Sequence, residues 1–104
     1  MDTPYDRRSA SRMRFQTAVE LYWTAPDGGE VRERARTEDV SRTGALLCLR
    51  DYWEDLSPGC EVAVKHALLR DVVEGRVVEV RRLSGGKLAS VALELLEPVL
   101  WDQL

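Results

Sequence analysis

Hydrophobic and polar positions alternate along most of this chain with a period of two, which predicts strands rather than helices. Phe15, Thr17, Val19, Leu21 and Trp23 share one parity, while Gln16, Glu20 and Thr24 take the other. This predicts a strand over residues 14–24 with one buried face. Ala25-Pro26-Asp27-Gly28-Gly29 is then a turn. Over residues 30–38, Val31, Glu33, Ala35 and Thr37 share one face, and Arg32, Arg34 and Arg36 the other. The arginine row reads either as a stripe that steers anions or as a solvated strand face.

Residues 39–44 read as a loop, in which Asp39 and Ser41 bond to nearby backbone and Gly44 permits a positive φ. An apolar run, Ala45–Leu49, follows. Residues 51–59 form a loop or short helix whose Tyr52, Trp53 and Leu56 cap one end of the core. For Trp53 a ligand-stacking role is the other reading. Strands are expected over 61–69 and 72–83, paired around Arg70-Asp71, with a bulge at Gly75. Ser84-Gly85-Gly86 makes a hairpin turn before a last strand over 87–96. The tail is too short for a free helix. Its Leu100, Trp101 and Leu104 must pack back on the barrel or onto a partner. Many short strands with Gly-marked bends predict an all-β protein, a small antiparallel barrel.

Length and composition narrow the class. At 104 residues the chain suits one domain. Its division is an arm over 1–6, a barrel domain over 7–97 and a tail over 98–104. The sequence holds no apolar run of membrane-spanning length, and its first residues hold no apolar signal segment. A cytoplasmic protein without membrane insertion is therefore expected. The net charge of -3 argues against binding long nucleic acid but leaves room for a small anion on a local basic patch. Cys48 and Cys60 are too far apart for a Cys-x-x-Cys motif and are expected to be buried thiols; His66, the single histidine, is expected to be structural. No nucleophile–base pair, metal cluster or P-loop appears, so an enzyme is not expected.

Against that acidic background, Arg7, Arg8, Arg12 and Arg14 crowd together. Arginine suits phosphate and the O6/N7 edge of guanine, because its planar cation donates two parallel hydrogen bonds. The cluster reads as an anion or nucleotide clamp, or as a solvated, frayed terminus. Asp39, Ser41 and Gly44 read as a well-formed turn, or as a carboxylate, a hydroxyl and a bare backbone offered to a ligand. A carboxylate accepts hydrogen bonds from the N1–H and N2–H of guanine.

Taken together, Arg8-x-x-x-Arg12 and Asp39-x-Ser41-x-x-Gly44 resemble the two signature motifs of the PilZ domain family, in the family's order. The resemblance continues through Leu56-Ser57-Pro58-Gly59, Glu61–Val64 and Glu74–Val80. It departs at Ser90-Val91-Ala92-Leu93, where the family usually has Gly-Val-x-Phe. It implies a six-stranded barrel with a flexible arginine arm folded over its outer face, and a bacterial receptor for cyclic di-GMP that uses no other cofactor. In that reading Arg8 and Arg12 take phosphates and guanine edges, and Asp39 faces a guanine Watson–Crick edge. Ser41 bonds a polar ligand atom, and Gly44 lets the backbone approach. Arg7 stands where family members with an extra arginine often take the ligand as a stacked pair. Closure of the arm would change the surface offered to an unidentified protein partner. The alternatives are a ligand-independent PilZ-like adaptor and a small barrel that binds RNA or single-stranded DNA.

Overall fold

The computed structural model describes residues 12–51, 53–67, 72–83 and 85–101. Seven strands lie in one antiparallel sheet: β1 (Met13–Arg14), β2 (Ala18–Thr24), β3 (Glu30–Ser41), β4 (Gly44–Leu49), β5 (Glu61–His66), β6 (Val73–Arg82) and β7 (Ala89–Leu95). The strand order is β1-β3-β2-β5-β6-β7-β4, and β4 also pairs with β3. That last pairing closes six strands into a barrel, as expected, and leaves β1 as an extra strand on β3. The one helical turn among these elements is the 3-10 segment Trp53–Asp55. No described helix is long and apolar enough to cross a membrane.

Alternation builds the core. Val19, Leu21 and Trp23 point inward from β2, Ala45, Leu47 and Leu49 from β4, and Val91, Leu93 and Leu95 from β7. Leu21, Leu47 and Leu49 are wholly buried. Trp53 and Leu56 close one end, with the Arg82 guanidinium 5.3 Å from the Trp53 ring centre. Trp53 thus stands in the core as a cap over that end. Trp101 is buried too, its ring 6.1 Å from that of Phe15 and its Nε1 donating to the Ser41 carbonyl at 2.8 Å. The tail thus packs back on the barrel, although Leu100 stays exposed. Leu104 and Tyr52 lie outside the described residues.

Several boundaries differ from the sequence reading, each for a local reason. The strand expected over 14–24 is interrupted at residues 15–17. Thr37 is wholly buried there, and its hydroxyl accepts from the Thr17 amide and donates to the Phe15 carbonyl. A side chain thus replaces ladder bonds. The strand expected to stop at residue 38 runs on to Ser41, so the connection to β4 is only Arg42-Thr43. Asp39 and Ser41 stand on a strand, not a loop. The last three strands are shorter than expected, at Glu61–His66, Val73–Arg82 and Ala89–Leu95. Cys48 and Cys60 are half-buried free thiols rather than buried ones. His66 is buried, its Nε2 2.9 Å from the Thr17 hydroxyl oxygen.

Gly75 was expected to mark a bulge. Its ladder is regular, and the register shift in β6 falls between Val77 and Glu79 instead. What requires glycine at 75 is room: a Cβ there would sit 2.9 Å from the Glu94 carbonyl oxygen and 3.3 Å from Leu95 Cδ2. Backbone cannot yield as a side-chain tip can, so Gly75→Ala is expected to cost about 1–3 kcal/mol. Urea denaturation measures it; an unchanged midpoint would show that β6 and β7 can part without loss.

Candidate functional site

The bulge in β3 sets the site. Thr37 pairs with Leu47 and Asp39 with Leu46, so Glu38 is the extra residue of that ladder. Before the bulge, Ala35 and Thr37 face inward; after it, Val40 faces inward. The extra residue lets Thr37 and Val40 both enter the core while Asp39 and Ser41 share the outer wall. Bulges often serve to re-aim side chains beside functional sites.

The register across β3, β4 and β7 completes this wall. Asp39 lies opposite Leu46, which lies opposite Ala92; Ser41 lies opposite Gly44, which lies opposite Glu94. These residues line a hollow of about 470 Å³, with Arg12 at its rim and Val78 also in its lining. Val78 is the extra residue of the β6 bulge and more than half exposed. Arg12 Nη2 donates to Asp39 Oδ2 at 3.4 Å. Half of the Arg12 side chain and over a third of the Asp39 side chain stay open to solvent. Such an exposed pair is worth about 0–1 kcal/mol and is given up cheaply.

Gly44 has no positive φ, contrary to expectation. Its value is again room, since a Cβ would lie 3.1 Å from the Leu93 carbonyl oxygen and 3.5 Å from Ser41 Oγ. Ser41 is anchored at its carbonyl by Trp101, and the Val99 amide donates to the Arg42 carbonyl at 2.8 Å. The tail therefore braces the tight turn from which Ser41 and Gly44 are presented.

Arg12, Asp39, Ser41 and Gly44 are thus brought to one hollow. Arg7 and Arg8 lie outside the described residues. Sequence reasoning missed Leu46, Val78 and Ala92, which give the hollow an apolar floor, and Glu94 at its edge. A signal existed for two of them. Leu46 is apolar at a solvent-facing parity, and Val77-Val78 breaks the alternation of β6. A larger hollow of about 600 Å³ opens over β2, β5 and β6. Glu30, Glu61 and Glu74 line it together with Arg32 and Arg76, and none of the residues of the two motifs reaches it.

The fold is similar to that of the Bacillus subtilis inhibitor of motility MotI/DgrA, with a TM-score of 0.58 and 16% identity over 89% of this chain. This chain spans 44% of the length of that one. No curated protein matches the sequence. The family model that does match is that of the PilZ domain, over residues 6–102, and the chain belongs to the PilZ domain family.

Proposed function

We propose that this protein is a cyclic di-GMP receptor of the adaptor kind, and that the hollow on the β3–β4–β7 wall holds the ligand. The observation that carries the reading is the meeting of Arg12 and Asp39 at the rim of an apolar-floored hollow beside Ser41 and Gly44. A cyclic guanine dinucleotide offers two phosphates, guanine edges that donate and accept, and flat apolar ring faces. Arg12, with Arg8 from the arm, supplies cations for the phosphates and the O6/N7 edges. Asp39 accepts from a guanine N1–H and N2–H, and Ser41 bonds a polar atom of the ligand. The floor of Leu46, Val78 and Ala92 faces a ring. Gly44 lets the ligand reach the backbone. Arg7 extends the arm's charge and favours uptake of the ligand as a stacked pair.

Closure of the arm is the proposed switch. Ordering a segment costs conformational free energy, which the charge-assisted bonds repay. The closed arm then covers one surface and exposes another to a protein partner. Calorimetric titration with cyclic di-GMP, with GTP and cyclic di-AMP as controls, tests the binding. Amide exchange over residues 6–14, with and without ligand, tests the closure. Binding no tighter than that of the controls would leave the family's ligand-independent adaptor role.

Asp39 gives a test with a definite sign. If its role were only to hold Arg12, Asp39→Ala would free that guanidinium and tighten binding. Here it accepts charge-assisted bonds from guanine, worth about 1.5–3 kcal/mol, more than the exposed ion pair it gives up. Asp39→Ala is therefore expected to weaken cyclic di-GMP about 10-fold or more by calorimetry. Tighter binding would assign Asp39 to arginine storage.

A further inference from the structure

The outer face of β3 carries a second feature that the ligand site does not use. Arg32, Arg34 and Arg36 alternate outward and are all exposed. Leu49 pairs with Ala35, so Arg50, also exposed, emerges beside Arg34. Arg34 and Arg50 line one shallow hollow of about 440 Å³. Acids outnumber bases in this chain, 18 to 15, yet Arg34, Arg36 and Arg50 make no ion pair with a described carboxylate. Glu20, which faces Arg34 in the ladder, is spent elsewhere. Its Oε1 accepts from the Tyr22 hydroxyl at 2.7 Å and its Oε2 lies 4.0 Å from Arg32 Nε. The hydrogen bond to Glu20 raises the Tyr22 pKa above its ordinary value. The arginines thus form a row of three cations at every second residue along one strand face.

We propose that this arginine face is the docking surface for an acidic, extended segment of a protein partner. Strand spacing puts successive outward arginines about 6.6–6.8 Å apart, and Arg32 about 13 Å from Arg36. An extended segment with carboxylates at alternate positions has the same repeat, so each guanidinium meets one carboxylate in a two-bond pair. Nucleic acid fits less well. The exposed face of β3 from residue 30 to 36 offers no aromatic ring for a base. The small ligand is not the occupant either, because Arg34 and Arg36 stand outside the hollow of Asp39 and Ser41.

The test uses a fluorescein-labelled peptide of alternating glutamate and serine, its lysine counterpart, and an oligothymidylate of matching charge. Anisotropy is read with the full chain at about 50 mM salt, where screening is modest. The acidic peptide is expected to bind, the lysine peptide not, and the oligothymidylate more weakly. Arg34→Glu with Arg36→Glu should weaken the acidic peptide at least ~10-fold, and Arg34→Gln with Arg36→Gln should weaken it less. Arg76→Glu with Arg81→Glu, on another wall, should leave it unchanged. Calorimetric titration with cyclic di-GMP should be the same in all three variants, which separates this surface from the ligand site. No measurable peptide binding, equal loss in the Arg76/Arg81 variant, or tighter oligothymidylate would overturn the proposal. So would a change in cyclic di-GMP affinity in the Arg34/Arg36 variants.

Discussion

Alanine at both Arg8 and Arg12 is expected to weaken cyclic di-GMP at least ~100-fold while leaving thermal stability almost where it was. Each guanidinium contributes charge-assisted hydrogen bonds worth about 1.5–3 kcal/mol. Two of them at the lower figure give about 3 kcal/mol, which is more than two decades of affinity. The lower figure is the right one to use, because residues that grip one ligand are not additive. Loss of Arg12 also leaves Asp39 facing a dianion without its cation, 3.4 Å away in the free protein. Stability is spared because Arg12 is half exposed and joins no core contact. Calorimetry reads the affinity and a thermal melt the stability. A variant that melts normally and binds normally would remove arginine from the mechanism, and with it the reason for proposing this ligand.

Much of the barrel was legible because inward residues at period two need nothing but the chain itself. Val19, Leu21 and Trp23 face the core as their parity requires, and Ala35 and Thr37 do the same. The phase break between Thr37 and Val40 was also present in the sequence. Reading residues 39–44 as a loop hid it, because Asp, Ser and Gly are turn formers wherever they stand. A strand with one extra residue explains the same letters and keeps Val40 in the core. Gly44 and Gly75 show the complementary limit. Glycine in a sequence signals freedom, yet at both positions the need is space against the β7 backbone. That need exists only after β7 has paired, so no local pattern announces it. The apolar floor of the hollow was hard to see for the same reason. Leu46, Val78 and Ala92 come from three strands and become neighbours through register alone.

Leu47→Ala is expected to cost about 2–5 kcal/mol of stability. Leu47 is wholly buried, opposite Thr37 on one side and Val91 on the other, and both of these are wholly buried too. A barrel interior has little freedom to collapse around the void, since each wall strand is tied to two others. At about 4–8 °C per kcal/mol for a domain near this size, the melting midpoint should fall by roughly 8–40 °C. The two variants then answer each other. Leu46 and Gly44 lie on the same strand as Leu47 but face outward, so the alanine variant keeps the binding wall whenever it is folded. Ligand at about 100 times its Kd adds about 2.7 kcal/mol to any folded state that binds it. Cyclic di-GMP should therefore restore much of the Leu47→Ala midpoint and should leave the Arg8/Arg12 variant unmoved. A Leu47→Ala protein that ligand cannot rescue would mean that the core and the binding wall fold as one inseparable unit, with the hollow lost as soon as the barrel loosens.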